Sequence, residues 1–205
     1  MQIIIHKGDL PSDVSFKNSV AVDTETLGLN IKRDALCLAQ LSGGDGVCHL
    51  VQFDVTKPYK APNLKKILED KKVVKIFHYA RFDIAVLKHY LGAEISSIYC
   101  TKIASKLVRT YTDRHGLKDL CSSILDVEIS KEVRTSDWSS SELTESQKKY
   151  AATDVLYLHQ IKDELDKSLL KVKRMHTAKA CFDFLPTLID LDLMGWDGPS
   201  IFAHR

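Results

Sequence analysis

The stretch "SVAVDTET", residues 19–26, limits the possible folds more than any other. Small and β-branched apolar residues run for four positions and then stop on an acid, a threonine and a second acid. Such a run reads as a buried strand whose end carries charge. Its neighbours fit the same sheet. "QIIIHKGD" reads as a short strand ending at Gly8. "ALCLAQLSGGDGVCHLVQF" holds two apolar runs around Gly-Gly-Asp-Gly, a strong hairpin signal. "APNLKKILEDKK" has helical apolar spacing after a proline, and "VVKIF" is a buried strand. "HYARFDIAVLKHYLG" is helical again, with Gly92 as its C-cap. Strand, strand, hairpin, helix, strand and helix make an α/β domain with a central mixed sheet flanked by helices.

The second half reads as helical. "TKIASKLVR", "GLKDLCSSILD" and one long segment, "TESQKKYAATDVLYLHQIKDELDKSLL", carry the periodicity. Thr144 and Gln147 have the spacing of a capping box at the start of the last. The tail from Cys181 is apolar, contains Trp196 and Phe202, and is punctuated by Gly and Pro. Two units are expected: residues 1–168 as the main domain and 169–205 as a helical C-terminal appendage that meets other subunits. The chain of 205 residues is 44% hydrophobic and 27% charged, as in a soluble globular protein. A formal net charge of +2 excludes coating of long nucleic acid by bulk electrostatics and leaves room for a local basic site. Five scattered cysteines point to neither zinc nor a disulfide framework, and Cys100 and Cys121 read as core. The N-terminus lacks the basic start and apolar core of a signal peptide, so a cytoplasmic protein is expected.

Asp23 and Glu25, two apart on a strand, share a face roughly 6.5 to 7 Å apart. Asp83 falls in the first turns of the helix after a buried strand. Tyr150 and Asp154, four apart on a late helix, point the same way. Each group alone is ordinary surface chemistry, since solvated acids at strand ends are common. Together they offer four carboxylates and a phenol to a site for Mg²⁺ or Mn²⁺, which take oxygen ligands. Two such ions clamp the attacking and leaving oxygens of a phosphoryl displacement.

D-T-E in a strand, H-x-A-x-x-D after a strand, and "SDWSSSELTESQKKYAATDVLYL" resemble the three motifs of the DEDDy 3′–5′ exonucleases, the ribonuclease D-like family. The resemblance runs from about Val20 to about Leu165. The variant with a histidine base carries it where this chain has Lys149, so Tyr150 selects the tyrosine subclass. Ribonuclease D proper has additional helical nucleic-acid-binding domains, for which this chain is too short. Its size, "DTETLGLN" and "FLPTLIDLDLMGWDGPSIFAH" resemble the nanoRNase C group of alphaproteobacteria. The resemblance implies a ribonuclease H-like DEDD exonuclease fold. It implies metal-dependent 3′–5′ cleavage of very short RNAs, dinucleotides above all, to nucleoside 5′-monophosphates. It also implies two divalent ions, Mg²⁺ or Mn²⁺. Asp23 bridges both ions, Glu25 and Asp154 complete the site nearer the nucleophile, Asp83 holds the second ion, and Tyr150 positions the attacking water.

Substrate-binding candidates follow. The backbone of Thr24 to Thr26 is a candidate sensor of the terminal 3′-hydroxyl. Leu29 is either a wedge between bases, as the resemblance implies, or a plain loop residue. His78 either contacts nucleotide or caps the helix that follows. Lys102, Lys106 and Arg109 share a helical face, with Arg114, His115 and Lys118 beyond. That stripe is either a solvated face or the cap for a terminal phosphate. Trp138 packs under the last helix. The partners expected are short single-stranded RNA, with DNA as a possible second substrate, and copies of the chain itself in a homo-oligomer such as a ring-like octamer. Alternatives are a broader exonuclease on longer RNA or DNA, and an inactive nucleic-acid-binding scaffold.

Overall fold

The computed structural model describes residues 1–129, 136–196 and 201. Within them, six strands form one sheet: β1 (Gln2–Lys7), β2 (Ser19–Thr26), β3 (Leu36–Ser42), β4 (Val47–Gln52), β5 (Val74–Phe77) and β6 (Ile98–Cys100). The order is β1-β4-β3-β2-β5-β6. Only β3 runs antiparallel to its neighbours, so the sheet is mixed, as expected. The carboxyl ends of β2, β5 and β6 therefore meet along one edge, where ligands of open α/β sheets bind. The Gly-Gly-Asp-Gly hairpin forms between β3 and β4, with Gly44 and Gly46 at positive φ. Strand β6 has only three residues, too few for a sequence period to reveal.

Seven helices are described: α1 (Pro62–Glu69), α2 (Ala80–Leu91), α3 (Thr101–Val108), α4 (Leu117–Leu125), α5 (Glu145–Leu156), α6 (Leu158–Lys171) and α7 (Met175–Met194). Every residue of β3 is buried, because helices cover both faces of the sheet. On one face α5 crosses β1 to β4; on the other, α2 packs against β2, β3, β5 and β6. The residues of α5 that meet the sheet include Ala151 and Ala152, small enough for the helix to lie close. None of the described helices is long and apolar enough to cross a membrane. All five cysteines are free, and all but the half-buried Cys181 are buried.

Two features differ from the sequence expectation. The long late helix is interrupted at Tyr157 (φ −100°, ψ −4°). Before the break the buried face belongs to Ala151, Ala152 and Val155, against the sheet; after it, to Ile161, Leu165 and Leu169. The later segment packs against α3, α4 and α7, so the chain turns to change partners without needing Gly or Pro. Pro186 does not break the tail, which is one helix from Met175 to Met194. A proline inside a helix costs about 3 kcal/mol. Burial of Phe182 and Leu185 before it and Ile189 after it offsets that cost. The tail also packs on the domain. Arg81 on α2 donates through Nε and Nη2 to both oxygens of the buried Asp192 on α7, at 2.6 and 2.5 Å. Phe202 lies outside the described residues.

The capping box at the start of α5 is present. Gln147 N donates to Thr144 Oγ1 at 3.2 Å, and Thr144 N donates to Gln147 Oε1 at 2.9 Å. Thr144→Ala is expected to lower stability by about 1 kcal/mol in urea unfolding, with an unchanged m-value.

Candidate active site

Strand β2 runs parallel to β5 over Ser19–Ala21 and antiparallel to β3 from Ala21 on, and up to a register shift between Glu25 and Thr26 its residues alternate between the two faces of the sheet. Asp23 and Glu25 emerge toward α5. That helix brings Asp154 to them, and one ligand oxygen from each of the three acids lies within 4.8 Å of the others. Thr24 faces the opposite way, toward α2, where its hydroxyl donates to Asp83 Oδ1 at 2.7 Å. Beside the backbone that the sequence offers as a candidate, the Thr24 side chain thus holds the fourth acid.

The four acids form one electrostatic unit. Burial and the charges of Asp83, Asp154 and Glu25 push the Asp23 carboxyl well above its ordinary range. Burial pushes Asp83 up to about 7, the Thr24 hydrogen bond opposing and the Asp154 charge adding to the shift. Crowded carboxylates of this kind either hold protons or bind cations. Their all-oxygen donor set suits hard divalent ions such as Mg²⁺ and Mn²⁺.

Tyr150 lies one turn before Asp154 on α5. Its ring sits 6.1 Å from that of the buried Trp138. Gln147 secures the loop that carries the tryptophan, its Nε2 donating to Asp137 O at 2.9 Å. One glutamine thus caps the helix and packs the indole under Tyr150, as expected for Trp138.

After β2 the chain makes a tight loop around Asp34. Asn30 N donates to Asp34 Oδ2 at 2.9 Å, and Leu27 N to Ala35 O at 3.1 Å. A Cβ on Gly28 would stand 2.3 Å from Asp34 Oδ2, so this position requires glycine. The loop holds Leu29 out to solvent, 85% exposed. Thr26 donates its hydroxyl to Gly28 O, at the base of the same loop.

Next to β2, the β5–α2 connection carries His78 and Tyr79. His78 does not cap α2, which has no side-chain cap. Its Nδ1 lies 2.9 Å from Thr101 Oγ1, and that hydroxyl donates to Phe77 O at 3.1 Å. The threonine's one proton is therefore used, which assigns the proton of this contact to His78 Nδ1. Burial, and then the charge of Lys102, push His78 down to about 4, so the ring is neutral at physiological pH. Tyr79, not singled out in the sequence, adopts the left-handed conformation (φ 74°) and is about half exposed. Lys102 Nζ stands 4.2 Å above its ring centroid. No sequence period signals a left-handed tyrosine; only its place between a strand end and a helix start is legible.

The basic stripe does not gather at the site as a unit. Lys102 is in the first turn of α3, at the sheet edge. By helix rise, Lys106 and Arg109 lie about 6 and 10.5 Å farther along the axis. Arg109 Nη1 donates to Arg114 O at 3.0 Å. His115 is buried, 2.8 Å from Ser105 Oγ, and does not belong to a solvated basic face.

The profile of a family described as 3′–5′ exonuclease matches residues 8–170. The chain belongs to the 3′–5′ exonuclease family. Ribonuclease D of Gluconacetobacter diazotrophicus is 35% identical over 143 residues, which cover 69% of this chain and 35% of that protein. The chain thus spans well under half the length of that relative. Among solved structures, Brucella melitensis NrnC is 53% identical, with a TM-score of 0.96 over 100% of this chain and 99% of that one. Structures of the same protein described as bound to pGG (53% identical) and with bound Mg²⁺ (52%) each superpose over 100% of both chains at a TM-score of 0.95. The fold is that of the ribonuclease H-like members of the 3′–5′ exonuclease family, and the acid cluster fits that family's pair of divalent ions.

Burial raises the pKa values of Asp23 and Asp83 in the folded state above those of the unfolded chain. Between about pH 4 and pH 7 the folded state keeps protons that the unfolded chain has lost, so this cluster's effect is to lower stability as pH rises. In chelator, the protein is expected to melt several degrees lower at about pH 8 than at about pH 5.5. Added Mn²⁺ at the higher pH is expected to restore the difference, as a thermal melt with and without the ion checks.

Proposed function

We propose that the protein is a metal-dependent 3′–5′ exoribonuclease of very short RNAs, dinucleotides among them, releasing nucleoside 5′-monophosphates. The convergence of Asp23, Glu25 and Asp154 within 4.8 Å, with Tyr150 one turn from Asp154, carries this reading. The likeness to an NrnC described as bound to pGG supports a short substrate.

Divalent ions, when bound, supply Lewis acidity to the phosphoryl group and to the attacking water. The residues that would hold these ions are Asp23, as the acid shared by both, Glu25 and Asp154 on the side of the attacking water, and Asp83 on the other side. Tyr150 orients the attacking water through its hydroxyl, braced from behind by Trp138. Backbone groups of Thr24 and Thr26 face the terminal 3′-hydroxyl. Leu29, fixed at the mouth by the Gly28–Asp34 turn, separates the two bases. His78, being neutral, offers a nucleotide Nε2 as an acceptor rather than a cation. Lys102 on the Tyr79 ring is the basic group nearest to hand for a terminal phosphate. Lys106 and Arg109 extend the same helix for a longer strand.

A time course with 5′-labelled RNA of two, three, five and seven nucleotides, plus a DNA dinucleotide, tests the reading with Mg²⁺, with Mn²⁺ and with chelator. The RNA dinucleotide is expected to disappear fastest and only with metal. Asp154→Ala is expected to lose about 10³-fold in rate, and Tyr150→Phe about 10²-fold. Equal trimming of all lengths would assign a broader ribonuclease D-like exonuclease. No cleavage with any metal would leave an inactive nucleic-acid-binding scaffold.

A homo-oligomer, such as a ring-like octamer, belongs to the same proposal. Leu170, Met194, Trp196 and Ile201 expose apolar surface near the end of the chain, which water disfavours. Light scattering at micromolar concentration is expected to give a multiple of the 23.1 kDa chain mass, and a monomeric mass would refute assembly.

A further inference from the structure

We infer that Gln40 is a positioning residue for Asp23, holding that carboxylate in the orientation in which it meets divalent cations. The inference rests on the metal-binding role proposed for Asp23. Gln40 lies on β3 directly opposite Asp23 in the antiparallel register, and facing residues of such a pair share one side of the sheet. It is completely buried. Its Nε2 donates to Asp23 Oδ2 at 3.3 Å. Its Oε1 is also buried and has no hydrogen-bond partner among the described residues.

Such an amide is costly. An unsatisfied buried carbonyl costs about 1–3 kcal/mol. The strand around it is apolar, with Leu38, Ala39 and Leu41 all fully buried. A methionine would fill nearly the same volume without an orphaned oxygen. Packing therefore gives no reason for glutamine, and its one side-chain hydrogen bond goes to Asp23. An ionised carboxylate only accepts, so the amide must present its NH₂ end, as it does.

That contact has a specific use. The terminal torsion of an aspartate is broad and two-fold. Asp83, Asp154 and Glu25 all repel Asp23, and no cation is covalently fixed to resist them. A donor arriving from the neighbouring strand pins one carboxylate oxygen and leaves the remaining lone pairs for metal. Hydrogen bonds to ligating carboxylates tune metal affinity in this way.

The test is Mn²⁺ binding by calorimetry to the wild-type protein and to Gln40→Met, beside thermal melts in chelator and hydrolysis of an RNA dinucleotide at saturating Mn²⁺. The Met variant is expected to bind Mn²⁺ about 10- to 100-fold more weakly. It is expected to melt no lower than wild type in chelator, because an orphaned polar group has gone. At saturating Mn²⁺ its rate is expected to return to within a few fold of wild type. Wild-type Mn²⁺ affinity in the variant would overturn the inference. So would a Met variant that fails to fold, since the amide would then serve the core. A wild-type protein that binds Mn²⁺ but cleaves no RNA would refute the proposed function and leave the Gln40 inference standing. One that binds no Mn²⁺ would refute both.

Discussion

Four like charges held together set the terms for the rest of the molecule. Three of the acids present oxygens within 4.8 Å of one another, and the fourth adds its field from across the strand. At that separation two unit charges repel by about 3 kcal/mol for an effective dielectric of 20. A loop could not hold such groups, because it would relax and let them part. Each acid accordingly stands on regular structure that is anchored elsewhere. Strand β2 is paired on both sides, α5 is capped by Thr144 and Gln147, and α2 is clamped to α7 through Arg81 and Asp192. The scaffold's stiffness keeps the repulsion in place until a divalent cation relieves it.

The strict alternation of a strand is what lets one short segment organise both helices. Asp23 and Glu25 look toward α5, and Thr24 between them looks toward α2 and holds Asp83. A one-residue slip in register would exchange the faces, turning the threonine to the cluster and burying the acids against α2. The cross-strand partners guard against that slip. Gln40 lies opposite Asp23, and the apolar Ala39 lies opposite Thr24.

Much of this was legible from residue patterns. The acids sit at the ends of buried runs, and Tyr150 and Asp154 sit at helical spacing, so the sheet and most helices follow from periodicity, while the candidate catalytic set needed the family resemblance as well. Features set by tertiary contact were not legible. The break at Tyr157 reflects a change of packing partner, and Pro186 survives within α7 because both of its flanks are buried. The single polar residue in "LCLAQLS" was visible, but its meaning depends on the register that puts it across from Asp23. The use of the basic stripe was not legible, because spacing along a helix gives direction only. It says nothing of which end meets the sheet edge, where Lys102 stands in the first turn of α3.

Tyr79 shows what local strain delivers to the acidic site. Lys102 rests on its ring, a contact worth about 0.5–1 kcal/mol at an exposed position. To present that ring, Tyr79 takes a left-handed backbone conformation costing on the order of 1–3 kcal/mol. The contact alone does not offset that cost; the abrupt turn from β5 into α2 does, because it carries Asp83 to the sheet edge within six residues of Phe77. The strained turn therefore delivers the fourth acid, and it sets the ring on which Lys102 rests.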